Sequence, residues 1–165
     1  MSPDINEKGI RVAEPYQLSL AIARAKADAL APKVSGPAIL VTADQVVVCN
    51  GALFEKPQST DEARQFMRAY SDGHPAETVS ALVVVDTKSG RRAEGVDIAK
   101  IFFNAIPDNV VEDFIKDEDP GSRAGGFSVE SARLAPYLRG IEGTVESVKG
   151  MPIALLERLV AEVRG

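Results

Sequence analysis

The chain has little of what several large protein classes depend on. Among its 165 residues there is one cysteine, Cys49, and one histidine, His74. A single thiol cannot form an intramolecular disulfide or a cysteine-rich zinc site. A multi-histidine metal site is excluded in the same way, and a Ser-His-Asp triad would have to use His74, near which nothing supports one. Disulfide scaffolds and zinc sites built from several cysteines or histidines are therefore excluded.

Positive charge and long apolar runs are also scarce. The net charge is −5 at neutral pH, whereas a protein that coats nucleic acid needs a surplus of lysine and arginine to neutralise phosphates. No run is long and apolar enough to span a membrane, and residues 1–4 carry no signal-peptide or transit-peptide pattern. We therefore expect no nucleic-acid partner, no membrane partner and a cytoplasmic location, which the single cysteine fits. A few local cations would still suffice to bind a small phosphorylated ligand.

What the chain does contain is an alternation of helix and strand patterns. Its hydrophobic content of 45% and charged content of 26% are ordinary for a soluble globular protein. The alternation predicts the α/β class, and the length suits one domain or two small lobes around a cleft. Helices are predicted over residues 15–31, 59–70, 107–116 and from 152 onwards. Strands are predicted over 39–41, 46–49, 52–54, 77–86 and 91–104, with a short strand pair within 137–148.

The first helix carries a candidate functional lysine. Leu18, Ile22, Ala25 and Ala29 recur at helical spacing and are expected to form its buried stripe. Lys26 lies beside that stripe. A lysine that extends its stem along apolar surface would explain this position without any function.

The most informative stretch runs from residue 38 to residue 57. Its apolar run, residues 39–41, predicts a buried strand that delivers Asp44 just past its end. An unpaired buried carboxylate is costly, so Asp44 needs a metal, a lysine, a backbone nest or cleft water as its partner. Asn50-Gly51 is typical of a type I′ hairpin turn. The returning chain would then bring Lys56 close to Asp44.

These residues suggest one kind of chemistry. The carboxylates Glu7, Asp44 and Glu130 and the lysines Lys26 and Lys56 could share a cleft. Mg²⁺ prefers one or two carboxylates together with substrate phosphates and waters, lysines neutralise phosphate charge, and a carboxylate can act as general base for an attacking water. The chain has no Gly-x-x-x-x-Gly-Lys-Ser/Thr loop, which argues against a P-loop nucleotidase. The residues alone thus lead to an α/β domain with a cleft for an anionic ligand, and a solvated surface role for Glu7 stays open.

A family resemblance adds detail beyond this point. Short pieces in a specific order resemble the Maf-type nucleoside triphosphate pyrophosphatases, and the resemblance covers nearly everything from Pro3 onward. It implies one Maf-like domain over residues 1–165, similar to inosine triphosphatases, with an elongated mixed sheet, flanking helices and two lobes around a cleft. It also implies a homodimer that hydrolyses a nucleoside triphosphate to the monophosphate and pyrophosphate with a divalent metal, Mg²⁺ or Mn²⁺. The matching pieces are residues 3–7, 23–27, 43–47, 55–57, 78, 124–126 and 143–152.

The resemblance assigns roles to four positions. Asp44 matches the family's proton acceptor. Glu7 matches an acid that helps to hold the metal, together with Asp44. Lys26 and Lys56 match two lysines that face the phosphates. The resemblance therefore implies a catalytic set of Asp44, Lys56, Lys26 and Glu7.

Two further positions bear on the base. Gln45 and Glu130 resemble the branch that acts on 7-methyl-GTP, whereas the pyrimidine branch has threonine and glutamine at these positions. Guanine presents N1–H and N2–H₂ side by side, and one carboxylate can accept from both. A 7-methylated guanine also carries a positive charge that a carboxylate favours. We expect a preference for 7-methyl-GTP, with a dTTP/UTP pyrophosphatase as the alternative.

The chain also departs from the family pattern. No Ser-x-x-Arg-Arg motif precedes Glu7, so the chain is expected to be N-terminally truncated relative to the family and to lack its phosphate-binding arginine segment. Asn6 stands where aspartate is usual, and Lys149 and Met151 stand where methionine and leucine are usual. The alternative hypothesis to an active pyrophosphatase is therefore a catalytically inactive nucleotide-binding or dimerisation subunit.

Overall fold

A computed structural model describes all residues from 1 to 165. None of its helices combines the length and the apolar character that crossing a membrane requires. The strands are β1 (Ile39–Cys49), β2 (Ala52–Phe54), β3 (Ala76–Asp86), β4 (Arg92–Phe103) and β5 (Leu138–Glu142). The α-helices are α1 (Leu18–Leu30), α2 (Thr60–Ser71), α3 (Asp108–Asp117), α4 (Val145–Val148) and α5 (Ile153–Arg164).

The five strands form one sheet in the order β2-β1-β3-β4-β5. Every neighbouring pair is antiparallel. The predicted α/β class is confirmed, but the sheet is antiparallel throughout rather than mixed. Tight turns join β1 to β2 and β3 to β4, and a tight turn can only reverse the chain. The assignment of residues 1–165 to one domain stays a prediction.

The central strand β3 is covered on both faces, as its apolar pattern predicted. On one face, Leu18 and Ile22 of α1 pack with Val79. On the other, Leu159 of α5 packs with Leu82. The helices α2 and α3 pack with the sheet around a separate aromatic and aliphatic cluster that includes Phe66, Tyr70, Phe103 and Phe114. The sheet therefore lies in a middle layer between helices.

Three local predictions were wrong. Asp44 does not follow a short strand but lies inside β1, because β1 pairs with β3 without interruption from Ile39 to Val48. In α1, Ala23 and Ala27 are buried in place of Ala25 and Ala29, because these small residues let the helix approach β3 closely. Residues 137–148 form one strand and the short helix α4 rather than two strands.

Candidate active site

A cleft of about 850 Å³ opens beside β1. This volume lies within the range of roughly 300–1,000 Å³ that is usual for small-ligand pockets. The central part of β1 contributes one wall, and the N-terminal segment with the start of α1 contributes another. Residues 54–58, residues 123–130 and the C-terminal end of α4 complete it. Segments distant in the sequence thus meet around one cavity.

The β1–β2 hairpin brings Lys56 to this cleft. Asn50 and Gly51 both have positive φ, 49° and 75°, as a type I′ turn requires. The strands pair from Cys49 with Ala52 to Val47 with Phe54, so the predicted hairpin is confirmed. The chain that leaves β2 then places Lys56 in the lining of the same cavity as Asp44.

Gly125 fixes the opposite wall against the sheet. Its φ is +72°, and an added Cβ would lie 2.9 Å from Val47 Cγ1 and 3.0 Å from Tyr70 Oη. Its N–H donates to the carbonyl of Glu55 at 3.1 Å, and the buried Tyr70 hydroxyl donates to its carbonyl at 2.9 Å. Only glycine meets both demands without strain. The segment that carries Glu130 is thereby anchored beside Lys56.

Asp44 has a lysine as its partner. Lys26 Nζ donates to Asp44 Oδ1 at 2.8 Å and to the carbonyl of Ala43 at 3.3 Å. The same ammonium lies 3.2 Å from Glu7 Oε1. The Asp44 side chain is 12% exposed and that of Lys26 is 17% exposed. Of the partners that the sequence left open for this buried carboxylate, the structure therefore shows lysine.

Burial and pairing act on Asp44 in opposite directions. Burial raises the pKa of Asp44 above 3.8, and the hydrogen bond and charge of Lys26 only partly offset this. Burial by itself would lower the pKa of Lys26, but its contacts with Asp44 and Glu7 outweigh that effect, so the pKa lies above 10.5. An ion pair alone would lower the pKa of its acid. Here the loss of hydration at Asp44 is the larger effect, so the pKa of Asp44 is raised despite the ion pair.

Asp44 and Glu7 both contact the Lys26 ammonium, and this pair of acids is the candidate metal site. No group of three or more His, Cys, Asp or Glu side chains could hold a metal alone. Mg²⁺ needs only one or two carboxylates when phosphates and waters supply the remaining ligands. Lys26 engages Asp44 Oδ1 and Glu7 Oε1, which leaves a second oxygen on each carboxylate.

Glu130 and Lys149 form an ion pair at the cleft. Lys149 Nζ donates to Glu130 Oε1 at 2.7 Å, and both residues line the cavity. The hydrogen bond and the charge of Lys149 hold the pKa of Glu130 below 4.5, and those of Glu130 raise the pKa of Lys149 above 10.5. Glu130 is therefore a carboxylate at neutral pH.

Gln45 also lines the cavity, but its amide nitrogen is occupied by protein groups. Its Nε2 donates to the carbonyls of Ser147 at 3.0 Å and Val148 at 3.1 Å, and lies 2.8 Å from Ser80 Oγ. Gln45 therefore ties β1 to the turn that carries Lys149. If this amide nitrogen affects the choice of nucleotide base, it does so through that turn.

The structure brings five of the six sequence-predicted site residues to one cavity. These five are Glu7, Asp44, Gln45, Lys56 and Glu130. Lys26 is not on the cavity surface, and it reaches the site through its contacts with Glu7 and Asp44. The catalytic and specificity roles of all six stay predictions.

Four further cations line the cavity without having been proposed for the site. They are Lys8, Arg11, Arg123 and Lys149. In the sequence, Lys149 stands out only as a departure from the family pattern. Arg123 directly precedes the Ala-Gly-Gly piece. This position is the only feature of the sequence that could have pointed to Arg123 as a site residue. Arg11 lies 3.5 Å from Glu55 across the cleft.

Comparison with known proteins identifies the family of the chain. A family model described as Maf-like protein matches residues 1–163. A Dictyostelium discoideum protein named 7-methyl-GTP pyrophosphatase is 39% identical, and the alignment covers 99% of this chain and 85% of the relative. A Pyrococcus furiosus dTTP/UTP pyrophosphatase is 30% identical, with 95% of this chain and 80% of the relative covered. A Streptomyces coelicolor nucleoside triphosphate pyrophosphatase is also 30% identical, with 96% and 77% covered. As its sequence pieces predicted, the chain belongs to the Maf-like protein family.

Proposed function

We propose that the chain hydrolyses a nucleoside triphosphate to the monophosphate and pyrophosphate, with 7-methyl-GTP as the preferred substrate. The observation that carries this proposal is the Asp44 side chain, which is only 12% exposed and is held by Lys26 at 2.8 Å. It lines the same cavity as Lys56. An acid with a raised pKa, next to cations and open to a ligand, is the arrangement that water activation on a polyphosphate needs. Membership of the Maf-like family and the named pyrophosphatase relatives support it.

The proposed reaction uses the residues as follows. Lys56 binds the phosphates and neutralises part of their charge. Asp44 accepts a proton from a water whose oxygen adds to the α-phosphorus. The bond from the α-phosphorus to the bridging oxygen breaks, and pyrophosphate leaves with the bond's electron pair. Lys26 holds Asp44 in place and limits how far burial raises its pKa.

A divalent cation, Mg²⁺ or Mn²⁺, is part of the proposal. Asp44 and Glu7 would hold it through the carboxylate oxygens that Lys26 does not engage, with substrate phosphates as further ligands. When bound, such a cation neutralises negative charge on the phosphates.

The proposed base preference depends on Glu130. Its carboxylate accepts from N1–H and N2–H₂ of guanine, and its negative charge favours the cationic 7-methylguanine ring. Similarity to a named 7-methyl-GTP pyrophosphatase at 39% identity supports this preference. The dTTP/UTP pyrophosphatase at 30% identity supports the pyrimidine alternative less strongly.

A cytoplasmic location and a homodimer complete the proposal. The first half of β4 has no strand partner on its outer side, because β5 pairs only from Lys100 onward. Val96 and Ile98 are exposed on this half-strand, at 38% and 44%. An apolar sheet edge of this kind favours pairing with a second copy.

The test is pyrophosphate release from a nucleotide panel. The purified chain is incubated with Mg²⁺ or Mn²⁺ and with 7-methyl-GTP, GTP, UTP, dTTP or CTP. We expect release to be fastest from 7-methyl-GTP, and Asp44→Asn to lower kcat by a factor on the order of 10²–10⁴, as for the loss of a general base. The matched control is Asp72→Asn, because Asp72 is exposed and lies outside the cleft.

Two other outcomes have defined meanings. Folded chain that binds a nucleotide but releases no pyrophosphate would support the inactive nucleotide-binding subunit. Release that Asp44→Asn leaves unchanged would remove Asp44 from the mechanism.

A further inference from the structure

Lys149 lines the cleft but has no role in the proposed hydrolysis. Its ammonium lies 2.7 Å from Glu130 Oε1, although the two residues belong to segments 19 positions apart. The Lys149 side chain is 52% exposed and that of Glu130 is 67% exposed. Both charged groups are therefore accessible to a ligand that enters the cavity.

The backbone under each charged group is held in place. The N–H of Lys149 donates to the carbonyl of Val145 at 2.9 Å, and the two carbonyls before it accept from Gln45. On the other side, the N–H of Glu130 donates to Ser128 Oγ at 3.2 Å. The ammonium and the carboxylate thus extend into the cleft from fixed positions.

Resting on the proposed function, we infer that Lys149 is a specificity-determining residue, which pairs with Glu130 to read a base that carries a keto group beside an N–H. Lysine offers donors only, and an ionised glutamate offers acceptors only. Guanine has the complementary order along one edge: O6 accepts, and N1–H and N2–H₂ donate. Lys149 donates to O6 while Glu130 accepts from the two nitrogens.

This donor–acceptor order ranks the bases. Hypoxanthine keeps O6 and N1–H but lacks the 2-amino group, so it loses one contact. Uracil keeps a keto group and an N–H, but its second carbonyl faces an oxygen of Glu130. Adenine places its amino group opposite Lys149 and its N1 acceptor opposite Glu130, so both contacts are mismatched. GTP is therefore favoured over ITP, ITP over UTP, and ATP is rejected.

The charge of Lys149 also affects the discrimination between 7-methylguanine and guanine. Glu130 alone would attract the cationic ring of 7-methylguanine, but the ion pair with Lys149 is neutral overall. Lys149 therefore narrows the preference for 7-methyl-GTP over GTP and keeps the unmethylated nucleotide as a substrate. Two like charges about 4 Å apart in water repel enough to change an affinity roughly fivefold, and more in a less hydrated cleft.

The experiment compares the wild type with Lys149→Met, Lys149→Arg and Lys116→Met. Lys116 is an exposed lysine of α3 that does not line the cleft, so its variant controls for loss of one positive charge. Values of kcat/KM are measured for 7-methyl-GTP, GTP, ITP and ATP. Calorimetry gives Kd for GMP and 7-methyl-GMP, which bind without pyrophosphate release.

For Lys149→Met we expect the ratio of kcat/KM for 7-methyl-GTP over GTP to rise roughly fivefold to tenfold. The ratio for ITP over ATP should fall about tenfold, because the donor to O6 is lost. The Kd ratio of the two monophosphates should change in parallel with the first ratio. Lys149→Arg and Lys116→Met should keep the wild-type ratios within about threefold, less than the fivefold effect of one like charge.

The outcomes separate this inference from the proposed function. Wild-type ratios in Lys149→Met would overturn the role of Lys149 while leaving hydrolysis intact. No pyrophosphate release from any nucleotide would count against hydrolysis, and the monophosphate Kd ratio would then decide the role of Lys149 by itself. A chain that binds none of these nucleotides would overturn both.

Discussion

Lys26 lies between the two carboxylates that the sequence offered as a metal pair. Its Nζ is 2.8 Å from Asp44 Oδ1 and 3.2 Å from Glu7 Oε1. The resemblance implied a lysine that faces the substrate phosphates, whereas the structure shows its ammonium bound to the acids. Lys26 therefore holds Asp44 in place and lowers its pKa against the larger effect of burial.

Removing Lys26 should shift the pH dependence of catalysis. Burial raises the pKa of Asp44 above 3.8 and Lys26 counteracts it, so Lys26→Met should raise this pKa further. The proposed mechanism needs the ionised carboxylate, and the acid limb of the kcat/KM profile should therefore move to higher pH. The measurement is the profile with 7-methyl-GTP from pH 4 to pH 8, with Lys33→Met, an exposed lysine outside the cleft, as control. An acid limb at the same pH in both variants would contradict this electrostatic role.

Replacing Glu130 by glutamine should weaken the discrimination between bases. The amide offers one acceptor and one donor, which suits the edge of uracil, whereas the carboxylate suits the adjacent donors of guanine. We expect the kcat/KM ratio of 7-methyl-GTP over UTP to fall about tenfold, the scale of one charged hydrogen bond. Glu157→Gln, an exposed position on α5, should leave the ratio unchanged. If Glu130→Gln also leaves it unchanged, Glu130 does not read the base.

Gly125→Ala should destabilise the fold. The added Cβ would lie 2.9 Å from Val47 Cγ1, and φ is +72°. Overpacking and a strained backbone together should lower the free energy of unfolding by roughly 2–4 kcal/mol. Urea denaturation measures this as a lower midpoint at an unchanged m value.

Gly121→Ala is the matched control for Gly125→Ala. A Cβ at Gly121 would meet only ordinary contacts at 3.5 Å, so stability should change by less than about 0.5 kcal/mol, as for an unremarkable surface site. Equal midpoints for the two variants would show that the segment at Gly125 adapts without strain.

Metal removal should abolish turnover. The two acids near Lys26 can hold a cation only together with substrate phosphates, so a chelator should stop pyrophosphate release, and added Mg²⁺ or Mn²⁺ should restore it. Glu7→Gln should increase the metal concentration needed for half-maximal rate, by about tenfold if one ligand charge is lost. The exposed Glu14 provides the control variant Glu14→Gln. Full activity in the chelator would refute the metal requirement.

Local chemistry made several parts of the fold predictable from sequence. Asn50-Gly51 has the residues that a type I′ turn demands, and the hairpin forms there. Ser59 caps α2 by accepting from the N–H of Glu62 at 3.1 Å. The unbroken apolar run of β3 required cover on both faces, which it has. Each of these signals lies within a few residues of the structure that it determines.

By itself, the sequence determined most of the elements, the hairpin that carries Lys56 and the family. Only the tertiary structure decided that Lys26 binds Asp44 and Glu7, and that Lys149 reaches Glu130 from the end of α4. Periodicity shows which side of an element is apolar, but the rotation of α1 against the sheet depended on how closely Ala23 and Ala27 could approach β3. Contacts between distant side chains follow from such packing choices, because these choices set the position of every side chain on the element at once.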